Sequence, residues 1–423
     1  MPMVTKKSNR QAFEVFLDAT ELGSLQKVGT IFPHEVRTDL PAAFEYDKDW
    51  LRHDRAFMLD PRLDLYTGPQ YPQTGRTAFG IFMDSAPDRW GRVLMERRES
   101  VRARHENHRA RTFQEMDFLL GVNDLTRTGA LRFRSSEGGG FLDASENSAP
   151  PFTSLRELAE ISRRIESADS ESLPEYEQWL AMLMAPGTSL GGARPKANFT
   201  GEGGRLWLAK FPANEDRYDV GAWEFLVNKL AERAGIRVPN ARLEQLSARH
   251  RTYCADRFDR NGNSRRMFAS AMTLLERRDG DKDSSYLDLA EFISNQGISN
   301  RIEEDLEQLF RRVVFNVLVG NRDDHLRNHG FIREPEGWRL SPAYDMNPAP
   351  TKSEHAIKLD ETTTGPDLDS VLATSEYYRL EKTQAEKIMD EVKGEVTKWR
   401  TEANNLGLPR SEIELVGRAF QIS

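Results

Sequence analysis

The stretch that most constrains this chain is an apolar helix pattern ending abruptly in charge. Over Ile302–Val319, the residues Leu306, Leu309, Phe310, Val313, Val314, Val317 and Leu318 keep the three-four spacing of a buried helix face. Directly after it comes Asn321-Arg322-Asp323-Asp324-His325-Leu326-Arg327-Asn328. Two acids, a histidine and an amide therefore sit at the end of a core helix. A packed helix fixes the position of the loop it delivers, so chemistry placed there can be accurate.

Phosphoryl transfer needs an acid to orient the attacking hydroxyl and oxygen ligands for magnesium. Asp323 and Asn328, five positions apart, have the spacing of the base and the metal-binding Asn in protein-kinase catalytic loops. Asp345 follows a short strand-like segment, 337–340, where a second magnesium-binding carboxylate belongs. The plainer alternative is a solvated loop capping the helix, followed by an ordinary Asp at a turn after Pro342.

Two upstream features fit the same chemistry. Gly191 and Gly192 would let backbone approach a phosphate, and Arg194 and Lys196 add positive charge, although neither the Walker spacing nor GxGxxG is present. A turn leading into a strand explains these residues equally well. Lys210 interrupts the apolar strand pattern Leu206, Trp207, Leu208, Ala209, Phe211. A buried lysine needs a partner, and Glu224 on the next helix is the candidate; an edge-strand lysine reaching solvent is the alternative.

Bulk properties narrow the class. Lys and Arg total 59 and Asp and Glu 67, a net charge of −8, which argues against binding nucleic acid by overall electrostatics. Hydrophobic residues make up 38% and charged residues 30%, as in a folded globular protein. Cys254 is the single cysteine, so no intrachain disulfide forms; with no visible signal peptide or membrane span, a cytoplasmic location is expected.

Along the chain, a strand is expected near 13–17, with Gly23, Gly29 and Pro33 punctuating the residues after it. A helix over 87–100 is expected to start with Ser85 as cap and Pro87 in its first turn. The stretch 134–152, with Gly138, Gly139, Gly140, Pro150 and Pro151, is the best linker candidate. The expected division is 1–135, a linker at 136–153, and 154–423. Within the last part, 154–260 would be strand-rich and 261–423 mainly helical.

Taken together, the motifs resemble the HipA family of bacterial Ser/Thr kinases. The matches are Ser189-Leu190-Gly191-Gly192-Ala193-Arg194-Pro195-Lys196, Leu208-Ala209-Lys210, Asp256-Arg257-Phe258-Asp259-Arg260, the octapeptide 321–328 and the segment 340–345. Softer matches lie at 44–46, 84–91 and 129–133. The resemblance implies an α+β, protein-kinase-like two-lobed fold with an N-terminal α/β subdomain and a mainly helical C-terminal lobe. It implies ATP and Mg2+ as cofactors, with Asp323 as catalytic acid and Asn328 and Asp345 holding the metal. Residues 189–194, Lys196, Lys210, Glu224 and His325 would form the ATP site, with Asp256, Arg257 and Phe258 as hinge. Ser189 would be an inhibitory autophosphorylation site. Arg194-Pro195 departs from the best-known member of the family, which has Gln-Glu before the lysine, and this changes the charge of the loop. The family implies a toxin acting on a protein, for known relatives an aminoacyl-tRNA synthetase, to stop translation and growth. It also implies a HipB-like helix-turn-helix antitoxin, with DNA reached only through that partner. Two other readings are a small-molecule phosphotransferase and a catalytically silent corepressor.

Overall fold

The computed structural model describes residues 11–33, 41–144, 149–167, 170–184 and 192–421. Among the described residues, four antiparallel sheets, one of them a short pair at Arg260–Asn261 and Ser264–Arg265, and a large helical part enclose two apolar clusters. The N-terminal sheet runs in the order Ala43–Tyr46, Gln26–Phe32, Phe13–Leu17, Leu131–Ser135. Gly29 therefore lies inside a strand and does not punctuate one. A Cβ there would come within 2.3 Å of the Phe44 ring, so the glycine makes room for a buried aromatic on the neighbouring strand.

The long helix of this region is Arg89–His105, and its cap is Asp88, whose side chain accepts from Gly91 N. The expected cap Ser85 is instead buried, with its carbonyl accepting from Arg127. Asp88 wins because an aspartate directly after Pro87 can fold back on the first free amides, while Pro87 itself stays outside the helix.

A second sheet has the order Lys196–Thr200, Leu206–Lys210, Thr252–Asp256, Ala241–Glu244. Lys210 is thus on a strand paired on both sides, not on an edge. The helix Val220–Arg233 follows, capped by Asp219. The expected helical part also contains a small sheet, Met267–Ser270, Gly330–Glu334, Gly337–Leu340, of which the sequence pattern shows only the strand at 337–340.

The Ile302–Val319 helix is the centre of the core: each apolar residue named for its buried face is at most 1% exposed. Each such side chain contributes about 1.5–3 kcal/mol by leaving water. The helix stops at Gly320, which is left-handed at φ 68° and whose N–H bonds back to Asn316 and Val317 carbonyls. A Cβ on Gly320 would meet Ala419 O at 2.2 Å. At its other end, Asp305 accepts from Arg339 Nε at 2.8 Å and Leu340 N at 3.0 Å. One helix therefore fixes both the loop 321–328 and the strand leading to Asp345.

Candidate active site

Burial alternates along the loop after Gly320. Asp323, His325 and Arg327 are exposed, whereas Asp324, Leu326 and Asn328 are buried. The inward residues hold the loop in place. Asp324 accepts from Tyr286 Oη at 2.5 Å and Asn316 Nδ2 at 3.0 Å, and pairs with His329 Nε2 at 2.7 Å. Burial works against its charge, but His329 and these hydrogen bonds hold its carboxyl below the usual range. Asn321 continues the lattice: its Nδ2 donates to Asn316 Oδ1 at 3.1 Å and its Oδ1 accepts from Asn347 N at 3.4 Å.

Asn347 Nδ2 reaches Asp345 Oδ1 at 3.4 Å, and the same oxygen accepts from Lys210 Nζ at 2.6 Å. Lys210 also donates to Glu224 Oε1 at 2.5 Å. A run of polar contacts thus connects the core helix, the loop, Asp345, the central strand and the helix Val220–Arg233. Burial alone would depress the Lys210 ammonium, yet Asp345 and Glu224 raise it above its ordinary value. Asp345 is correspondingly lowered: burial opposes its charge and Lys210 outweighs that. Glu224 goes the other way, because burial exceeds what Lys210 returns. Lys210 and Asp345 therefore each favour the charge of the other. Asp345 adopts φ 58°, a left-handed conformation uncommon outside glycine and tolerated best by Asp and Asn.

The upstream cations are already paired. Arg194 clamps Asp216 with two bonds of 2.7 and 2.5 Å. Lys196, 1% exposed, is ion-paired with Asp88 and donates to Gly192 O at 2.8 Å. Burial pushes Asp88 up to about 6 and lowers the Lys196 ammonium. Ser189, Leu190 and Gly191 lie outside the described residues.

Two openings meet at this centre. One is a mostly apolar slot bordered by Leu208, Lys210, Tyr253, Phe258, Tyr344 and Asp345, with Asp256 and Arg257 at its edge. Phe258 stacks on Tyr344 with centroids 5.2 Å apart. Asp256 is held by Arg205 at 2.7 Å. The Arg257 guanidinium is taken up by Asp259, Thr126 O and Asn198, so its role is to join the N-terminal region to the sheet. The second opening is a cleft of about 630 Å³ lined by Asp84, Asp88, Arg92, His325, Arg327 and Asn328, among others. Residues 84–89 therefore form one wall of the cleft and the loop 321–328 another.

Sequence reasoning missed Asp324, Tyr286, Asn316, His329, Asp88 and Lys352. Asn316 carried a usable signal: an amide inside the run Val313, Val314, Phe315, Val317 needs a buried polar partner.

The profile of the HipA-like C-terminal domain matches residues 188–400, just over half of the chain. The serine/threonine-protein kinase toxin HipA of Shewanella oneidensis is 25% identical over 230 residues, covering 46% of this chain and 50% of that one. The chain thus spans about half the length of this curated relative. Over nearly the full length, the fold is similar to a chain of the Shewanella oneidensis MR-1 toxin–antitoxin complex of HipA, HipB and operator DNA. The TM-score is 0.67 at 18% identity, covering 96% of this chain and 94% of that one. By its profile, and with a fold in keeping, this chain belongs to the HipA family.

Proposed function

We propose that this protein is an ATP-dependent serine/threonine protein kinase of the HipA toxin type. The observation that carries the reading is the convergence of Lys210, Glu224 and Asp345 in one ion-pair cluster, tied by hydrogen bonds to the loop bearing Asp323 and Asn328.

In this reading adenine enters the apolar slot against Phe258, and Lys210 turns from Asp345 to the phosphates. Asp323 accepts a hydrogen bond from the acceptor hydroxyl and takes its proton. Asp345 and Asn328 would hold Mg2+. The donor chemistry fits a hard cation: Asp345 offers a carboxylate, Asn328 an amide, and the buried Oδ1 of Asn347, whose Nδ2 reaches Asp345, has no hydrogen-bond partner. Among the described residues no group of three or more His, Cys, Asp or Glu could hold a metal, so ATP oxygens would complete the coordination. Bound Mg2+ neutralises charge on the phosphates. The cleft beside the loop has room for a polypeptide segment.

By family likeness, the acceptor would be an aminoacyl-tRNA synthetase, Ser189 an autophosphorylated off-switch, and the partner a HipB-like antitoxin. Among the described residues no helix is long and apolar enough to cross a membrane.

The test is phosphate transfer from labelled Mg-ATP to a cell extract and, separately, to a panel of small hydroxyl compounds. Label should enter protein and be lost with Asp323→Asn. Label confined to small molecules would replace this reading with that of a small-molecule phosphotransferase. Mass spectrometry before and after incubation tests Ser189, and co-purification with a small helix-turn-helix protein tests the partner.

A further inference from the structure

The segment after Asp345 turns back onto the catalytic loop and places a lysine on it. Lys352 Nζ is ion-paired with Asp323 Oδ1. The two side chains are 48% and 65% exposed, and exposed pairs are often incidental. What distinguishes this one is how its backbone is held. Arg322, the residue before Asp323, is buried, and its guanidinium is used on carbonyls: Lys352 O at 3.1 Å, Ala349 O at 3.4 Å and Ala419 O at 3.2 Å. Ala349 N donates to Gly320 O at 2.9 Å, and Lys352 N to Ala349 O at 3.2 Å. Both ends of the pair therefore hang from the same buried residue, within a turn fastened to the end of the core helix.

The surrounding charges point the same way. Arg194 is neutralised by Asp216, Lys196 by Asp88, Lys210 by Glu224 and Asp345, and Arg327 by Asp279. Among the described residues, Lys352 is the cation that pairs with Asp323. In the transfer step the acceptor oxygen bonds to the γ-phosphorus, the bond to the bridging oxygen of ADP breaks, and the hydroxyl proton passes to Asp323. That acid must be ionised and correctly turned before the step begins.

We infer that Lys352 is a positioning residue for phosphoryl transfer, holding the Asp323 carboxylate in the orientation that receives the acceptor hydroxyl. The inference rests on the kinase reading above.

The experiment uses the full chain with labelled Mg-ATP, following autophosphorylation and transfer to dephosphorylated casein. Wild type, Asp323→Asn, Lys352→Ala, Lys352→Arg and the double variant are compared. Lys352→Ala should lower kcat by about 10–100-fold with little change in the KM for ATP, the cost of a misplaced group. Its melting curve should stay in place. Lys352→Arg should recover most of the rate, and adding Lys352→Ala to Asp323→Asn should cost nothing further. Unchanged or faster turnover in Lys352→Ala would overturn the inference, showing the pair to be incidental or inhibitory. So would a fall in rate matched by a fall in melting temperature. If wild type labels neither itself nor casein, the kinase reading fails and takes this inference with it.

Discussion

Asp323 and Asp324 are chemically identical neighbours that the fold puts to opposite uses. Asp324 faces inward and is bonded to Tyr286, Asn316 and His329. Asp323 faces outward, in contact with Lys352 and solvent. The difference arises from the tight turns of the loop, along which burial alternates from Asp323 to Asn328. It teaches that one acid of the pair can anchor the loop through buried hydrogen bonds while its neighbour is left available at the surface.

The largest effect that could break this contrast is on catalysis. Asp323→Asn should reduce phosphate transfer by about 1,000-fold, the usual scale for a lost general base, with no loss of thermal stability. Radiolabel transfer and a melting curve on the same preparation check both halves. Asp324→Ala should do the reverse in kind. It leaves Tyr286, Asn316 and His329 without their acceptor in a buried site, and should cost about 3–5 kcal/mol of stability, read from urea midpoints.

A smaller effect sharpens the comparison through pH. His355 is buried, and burial drops its pKa to about 4. An unfolded histidine titrates near 6.5. Between those values the unfolded chain holds the extra proton, so stability falls as pH falls from about 6.5 to 4, by up to about 3 kcal/mol for this group. Asp84, pushed up to about 6 by burial, acts in the opposite sense over part of that window. The informative quantity is therefore the difference between wild type and His355→Leu, whose urea midpoint should fall less on acidification. The smallest effect belongs to an exposed pair remote from the loop. Arg410→Ala, which breaks the contact with Glu414, should change neither rate nor melting temperature measurably.

Legibility from sequence tracks contact distance along the chain. The core helix, the loop, Asp345 and the Lys210–Glu224 pair are readable because periodicity and spacing are local signals. Asp88 with Lys196, Asp324 with Tyr286, and Asp323 with Lys352 are not, since each joins segments 29 to 108 positions apart. Gly29 misleads for a related reason: alone it reads as a turn residue, and only Phe44 on the adjacent strand explains it. Arg194 and Lys196 read as free positive charge because the acids that neutralise them, Asp216 and Asp88, lie elsewhere in the sequence.

The Arg89–His105 helix begins at the cleft, and its Trp90, Leu94 and Val101 are buried with Leu155, Leu158, Ile161, Tyr176, Leu180 and the sheet residues Phe199, Trp207 and Phe211. The polypeptide passes from one side of that cluster to the other through the exposed Gly138-Gly139-Gly140 run. A protease that cuts there would sever the polypeptide without separating it. The two pieces would remain associated like subunits of an obligate heterodimer. A fragment beginning after the cut would carry every residue proposed for ATP binding and transfer, yet lack the wall of the cleft formed by residues 84–89, and adding the first fragment back should restore it.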